Sequence, residues 1–247
     1  MKRRFFLAAL VIMASSTVKA QDVPLVADLS NHLVAITTGF TGTDVLLFGA
    51  TDGPGDIAVV VRGPATDVPV RRKERFGPIW VNGSSVDFVE VPSYYRVASN
   101  KPLEDIAPQL LLSRFQIGLE NIRMTPDQEE LDAELVQEFR EAVVRLKLNE
   151  DLYDEGLGAV NLMSNRLFRT ELHFPAHVPT GTYLVEVYLF RNGQITSAEI
   201  VPLTISKIGV GAEIYDFAYN WAPFYGLISV LLAAAAGWAA SAAFRRI

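Results

Sequence analysis

The chain has no cysteine in its 247 residues. That excludes disulfide staples, thiol nucleophiles and thiolate metal sites, so an exported domain built from it must be held together by its core. Histidine is almost as scarce, with only His32, His173 and His177 present. His173-Phe174-Pro175-Ala176-His177 would bring two imidazoles to one face of a helix, but Pro175 opposes a helix there. A copper or zinc site would need His32 to join the pair; ordinary surface and core histidines are the plainer reading. Gly-x-Ser-x-Gly elbows, phosphate-cradling glycine loops and His-Glu-x-x-His runs are also missing. Gly209-Val210-Gly211 lacks a third glycine and reads as a hinge. Catalytic, cofactor-binding and metal residues therefore stay unassigned, and no cofactor is expected.

Basic residues are in short supply outside the two ends. Removing Lys2, Arg3, Arg4, Lys19, Arg245 and Arg246 from the 22 basic residues leaves 16 against 28 acidic ones. An excess of about twelve negative charges argues against a nucleic-acid binder and against a general polybasic lipid binder.

What the sequence does have is one long apolar run. Ala222 to Phe244 passes 23 residues without a charge, and only Ser229 and Ser241 are polar. At about 1.5 Å per residue the run makes roughly 34 Å of helix, enough for a hydrocarbon core of about 30 Å. A transmembrane helix over 222–244 is expected, with the membrane as the first partner. The other end carries a targeting pattern: Lys2, Arg3 and Arg4, then apolar Phe5 to Ala14, then Val18-Lys19-Ala20. Residues 1–20 read as a signal peptide, an uncleaved second anchor being the alternative. Arg245 and Arg246 should stay cytoplasmic under the positive-inside rule, leaving 245–247 as a stub and the bulk of the chain outside.

Between these ends the pattern is mainly β. Residues 21–100 show short apolar runs, Leu33–Thr37, Val45–Phe48 and Ile57–Val61, separated by turn clusters at Thr41–Asp44 and Asp52–Gly55. Val86–Val91 alternates less cleanly. Over 101–151 the period becomes helical. Thr125 is placed to cap, with Pro126 at the first helical position and Gln128 completing a capping box, ahead of an apolar stripe at Leu131, Leu135, Phe139, Val143 and Leu146. The acidic face of that helix reads as solvated, an acidic docking face being the sharper alternative. Residues 152–207 return to strands. Pro179-Thr180-Gly181-Thr182-Tyr183-Leu184-Val185 has the spacing of an immunoglobulin-type corner, in which a Tyr folds back to a backbone group, and Asn192-Gly193 is a hairpin turn before Ile195–Ile205. The expected fold is an immunoglobulin-like β-sandwich with an inserted amphipathic helical segment, plus one C-terminal transmembrane helix. Over 208–221, Ile214, Phe217, Ala218 and Trp221 recur at helical spacing, as an interfacial collar would.

Two groups of residues suggest contact with other molecules. Arg71, Arg72, Lys73 and Arg75 concentrate positive charge in an acidic domain, either as an exposed strand end or as a docking patch for an acidic partner or anion. Within the apolar run Ser229, Ala233, Gly237 and Ser241 repeat every four residues, and small residues on one face let another helix approach. That face would serve a protein partner in the membrane or a homo-oligomer.

Gly39-Phe40-Thr41-Gly42, Arg72-Lys73-Glu74, Ile79-Trp80-Val81-Asn82, Val91-Pro92-Ser93-Tyr94-Tyr95, Lys101-Pro102-Leu103, Gln116-Ile117-Gly118-Leu119, Tyr225-Gly226-Leu227 and Gly237-Trp238-Ala239-Ala240-Ser241 carry a family resemblance. Through them the mature chain resembles an alphaproteobacterial family of putative transmembrane proteins of unknown function. The resemblance implies a single-pass Gram-negative inner-membrane protein with a periplasmic domain, and it suggests a transporter as the class of partner. It supplies no catalytic residues. The expected function is a non-enzymatic accessory or interaction module for another envelope protein. The alternatives are a periplasmic ligand- or metal-binding protein serving a permease and, more weakly, an envelope hydrolase.

Overall fold

The computed structural model describes residues 24–128 and 131–244. The expected signal peptide and the flanking Arg245 and Arg246 lie outside them. The described chain is mainly β, and its strands form three sheets. Strands β1 (Leu25–Leu29), β3 (Gly42–Thr51), β11 (Leu167–Pro175) and β10 (Asn161–Met163) make a four-stranded antiparallel sheet in that order. The six-stranded sheet runs β2 (Leu33–Ile36), β13 (Gln194–Lys207), β12 (Gly181–Arg191), β4 (Asp56–Arg62), β7 (Tyr95–Ser99) and β9 (Gly158–Ala159). Its two outer pairs, β2 with β13 and β7 with β9, are parallel.

These two sheets face each other across an aromatic core. Phe174 of β11 meets Tyr183 of β12 edge-on at 5.7 Å, and Tyr94 lies 5.3 Å from Phe174. Tyr183, Val185, Val187 and Leu189 supply one buried face of β12, as their alternation predicts. The Tyr183 hydroxyl donates to the Pro179 carbonyl at 2.6 Å, so the tyrosine does fold back on the backbone. Asn192 and Gly193 take φ of 52° and 73°, the pair of positive values a two-residue type I′ loop requires, and Arg191 pairs with Gln194 across it.

Strand β4 explains why Ile57–Val61 is an unbroken apolar run. All five residues are buried, which requires cover on both faces of the sheet. The second cover comes from the helical segment after β7: α1 (Leu103–Ile106), α2 (Gln109–Phe115) and a 3₁₀ turn at Leu119–Asn121. Phe115 there packs against Tyr188 of β12 at 5.8 Å.

The third sheet is a long hairpin, β5 (Ala65–Phe76) and β6 (Ile79–Pro92), joined by the short β8 (Thr125–Pro126). Helix α3 (Ala133–Asn149) lies against it and buries Phe139 and Val143. Here the expected helix start is wrong. Thr125 and Pro126 pair with Val89 and Phe88 of β6, and Asp132 caps α3 by accepting from the Glu134 amide at 3.0 Å. An open strand edge on β6 and a competing Asp cap outweigh the capping box. Leu146, expected on the apolar stripe, is exposed, whereas Leu148 further along packs against the core. Thr41–Asp44 is a second correction: β3 begins at Gly42, because residues 42–44 pair with Pro175, Phe174 and His173. After β13 the chain forms α4 (Val210–Asn220) and α5 (Ala222–Phe244).

Candidate interaction surfaces

Strand β6 carries one residue more than β5 at two places, opposite Asp67 and opposite Arg72. Each bulge adds twist and re-aims the ladder, which carries the hairpin off the sheet it springs from. The first bulge explains the broken alternation over Val86–Val91: Val86, Phe88 and Val91 are the buried residues, and the three-residue step spans Val89 and Glu90, with Glu90 at φ 57°. The second sets the fate of the basic run. Arg72 turns to α3, where it pairs with Glu138 and lies 5.5 Å above the Phe139 ring. Arg71, Lys73 and Arg75 stay on the open part of the ladder and are exposed. Thus the structure brings three of the four expected patch residues to a free surface and spends the fourth on packing.

Beyond the second bulge the hairpin projects into solvent. Every residue from Lys73 to Asn82 is exposed, including Phe76 at 76 %, Ile79 at 57 % and Trp80 at 65 %. Gly77 and Pro78 form the two-residue loop, and Gly77 takes the positive φ of 63° that such a loop needs at its first position. Hydrophobic periodicity gives no sign of this tip. Gly77-Pro78 between two runs of β-forming residues was the available signal.

The polar side chains at the domain's interior serve structure. On the covered face of the six-stranded sheet Arg62 pairs with Glu186, and its second amino group donates to the carbonyls of Phe115 at 2.7 Å and Gln116 at 3.1 Å. Tyr188 donates to Glu186 at 2.6 Å, while Tyr95 donates to Gln116 O at 2.7 Å and accepts from the Gly118 amide at 2.9 Å. Burial, assisted by the Glu186 carboxylate, pushes the Tyr188 phenol up to about 12. Burial also raises Tyr94, Tyr95, Tyr153 and Tyr183, so these phenols stay protonated and donate hydrogen bonds at neutral pH.

The three histidines have separate partners. His32 lies 3.0 Å from Asp28, His173 lies 2.6 Å from Asp44, and His177 meets the Glu150 carbonyl. No three His, Cys, Asp or Glu side chains gather into a metal-sized group among the described residues. A groove of about 820 Å³ does open between the α1 region and α3, with Leu103, Leu119, Val144 and Leu148 on its floor and Arg140 and Glu141 on its rim.

Helix α5 is the one helix among the described residues long and apolar enough to cross a membrane, and none of its span is buried. Ser229, Ala233, Gly237 and Ser241 lie exposed along it. The Ser229 hydroxyl donates to the Tyr225 carbonyl one turn back at 2.8 Å, so it is satisfied within the helix. On α4 the rings of Tyr215 and Tyr219 stack 6.2 Å apart, and Trp221 meets Phe224 at 5.7 Å, clustering aromatics at the start of the span.

Residues 24–246 match the model of a family described as "Putative transmembrane protein (Alph_Pro_TM)". No curated protein and no solved structure matches the chain.

Proposed function

Because the chain belongs to that transmembrane family, we propose that it is a membrane-tethered, non-enzymatic module that binds or stabilises another envelope membrane protein, a transporter being the class that best suits it. In this reading residues 21–207 lie on the periplasmic side of the inner membrane, α4 is an interfacial collar, and 222–244 crosses once with its C-terminus cytoplasmic. The sandwich is read as immunoglobulin-like on the strength of the Tyr183 hydrogen bond and the β12–β13 hairpin.

The observation that carries the reading is the span itself. It has 23 residues, none of it is buried, and the described residues offer no second helix of its kind. With residues 1–20 read as a cleaved signal peptide, whatever packs against Ser229, Ala233, Gly237 and Ser241 comes from another chain. The small residues permit close backbone approach, and the internally bonded Ser229 adds no unsatisfied group to the contact. Mild crosslinking in native membranes tests this: the protein should be recovered with a discrete membrane protein or as a dimer, and Ala233→Leu with Gly237→Leu should reduce that product several-fold. Recovery only as a monomer would overturn the proposal.

The groove beside α3 supports a second reading, a solute-binding protein serving a permease. Thermal-shift screening of small amphipathic cations, which suit the acidic lining, against the protein and a Val144→Trp variant tests it, since a shift that survives the blocked groove removes that site.

A further inference from the structure

We propose that the tip of the β5–β6 hairpin is a second membrane contact, with Phe76, Ile79, Trp80 and Val81 entering the boundary between headgroups and acyl chains and Arg71, Lys73 and Arg75 resting on anionic lipid headgroups. The proposal rests on the membrane assignment alone and is independent of any protein partner.

Topology puts the hairpin and the tether at one end of the domain. Leu184 of β12 pairs with Arg62 of β4 on one side and with Pro202 of β13 on the other. Both neighbours run antiparallel to β12, so β4 and β13 run the same way. The chain leaves β4 into the hairpin and leaves β13 into α4 and α5 from the same sheet end, about 10 Å apart. The Pro64 ring against Gly181 fixes the hairpin root beside β12.

The hairpin reaches at least as far as the tether. From the shared level, Arg62 to Phe76 spans at most about 46 Å at roughly 3.3 Å per residue. Pro202 to Gly209 gives about 23 Å on the same basis, after which α4, lying along the interface, adds lateral reach of about 16 Å and no depth. The hairpin is thus long enough to arrive where the span begins.

The tip is built in layers along its length. Phe76 pairs with Ile79, Arg75 with Trp80, Glu74 with Val81 and Lys73 with Asn82. Apolar side chains fill the first steps from the loop, and Lys73 and Arg71 stand about 10 Å and 17 Å behind Phe76. Interfacial segments bury their apolar parts about 5–10 Å deep, which would set Lys73 at headgroup level, with Arg75, one step behind Phe76, reaching it by extending its long side chain. Glu74, the one acid in the run, lies back across the backbone of Gly83, in space a side chain there would fill. The domain as a whole is acidic, so the hairpin is where its sign reverses toward anionic lipid.

The apolar surface also suits lipid better than a protein groove. Cross-strand partners share a face and successive pairs alternate, so Trp80 projects on one side of the ribbon and Phe76, Ile79 and Val81 on the other. A docking partner would cover one face; a fluid hydrocarbon boundary covers both. Trp is also a side chain enriched at membrane–water interfaces.

The test uses the full chain in lipid nanodiscs. Trp221→Phe and Trp238→Phe leave Trp80 as the only tryptophan, since the protein has three. In discs containing phosphatidylglycerol, Trp80 emission should shift to the blue and be quenched by lipids brominated near the headgroup. Each cation near an anionic surface is worth roughly a five-fold change in occupancy, so Arg71→Gln, Lys73→Gln and Arg75→Gln together should shift the bound-to-free ratio on the order of a hundred-fold. Salt at about 1 M, where the screening length is about 3 Å, should act in the same direction. An unchanged tyrosine near-ultraviolet signal certifies the fold, because these side chains lie outside the core. Trp80 remaining water-like in the anionic discs would overturn the proposal, as would equal burial of the triple variant in phosphatidylcholine. Shielding seen in native-membrane discs but not in pure-lipid discs would assign the tip to a protein and refute the lipid contact.

Discussion

Glu186→Leu tests the ion pair on the covered face of the six-stranded sheet. The side chains of Arg62 and Glu186 are 19 % and 11 % exposed. Removing the carboxylate leaves the guanidinium at that site without its countercharge, and Tyr188 loses its acceptor. Stranding one charge of a buried pair costs about 3–5 kcal/mol, and partial exposure puts this site at the lower end, about 3 kcal/mol. With an m-value of about 2 kcal/mol/M, that is a fall of about 1.5 M in the urea midpoint. Replacing both partners, Arg62→Met with Glu186→Leu, removes the stranded charge and should recover about 2 kcal/mol of the loss. Recovery stays incomplete because Arg62 also holds the carbonyls of Phe115 and Gln116, which pin the helical cover. The assay is urea unfolding of the full chain in a mild non-ionic detergent, followed by aromatic circular dichroism through a double-mutant cycle. A cost below about 1 kcal/mol for Glu186→Leu, or single costs that simply add, would refute the reasoning.

Alkaline stability should follow the buried phenols. Tyr188 is raised from about 10 to about 12 in the folded state, so its contribution is fully present below about pH 10 and lost as pH rises through 12. Phenolate absorbance should therefore rise together with unfolding, whereas stepwise ionisation of an intact fold would contradict burial as the cause. Tyr183→Phe removes the bond to Pro179 O and should cost about 1 kcal/mol in thermal or urea unfolding. A cost near zero would mean that the corner does not hold β12. Phe139→Ala empties the pocket between α3 and the hairpin and deprives Arg72 of its ring; about 3 kcal/mol is expected, with faster amide exchange across α3.

Parts of this fold were legible because one local rule governed them. Tyr183, Val185, Val187 and Leu189 alternate on a strand packed on its inner face, Asn192-Gly193 needs only its own φ values, and Ala222–Phe244 is uncharged on every side. The continuous run Ile57–Val61 likewise reads as a strand, though nothing in it says that both its faces are covered or by what. Elsewhere a nonlocal partner decided the outcome. Thr125 and Pro126 look like a helix start until the open edge of β6 claims them. The bulge at Val89–Glu90 breaks the period of two at the place where the period would have been counted. The basic run was visible, but only Glu138 and Phe139, some 66 residues on from Arg72, separate Arg72 from its neighbours. The tip residues have no core face, so periodicity carries no signal there, and their role lies on the surface, where a single chain's pattern is least constrained.

The pairing of β13 has a mechanical consequence. Its last residues are gripped on both sides, Thr204 to Lys207 by β2 in parallel and Ile205 by Gly181 of β12. Tension arriving through the membrane helix pulls along the strand axis, and the ladder bonds on either flank resist as a group in shear instead of opening one by one. The domain is therefore attached to its tether at a point suited to bearing force, and drag on whatever it holds can be passed to the bilayer without peeling the sheet apart.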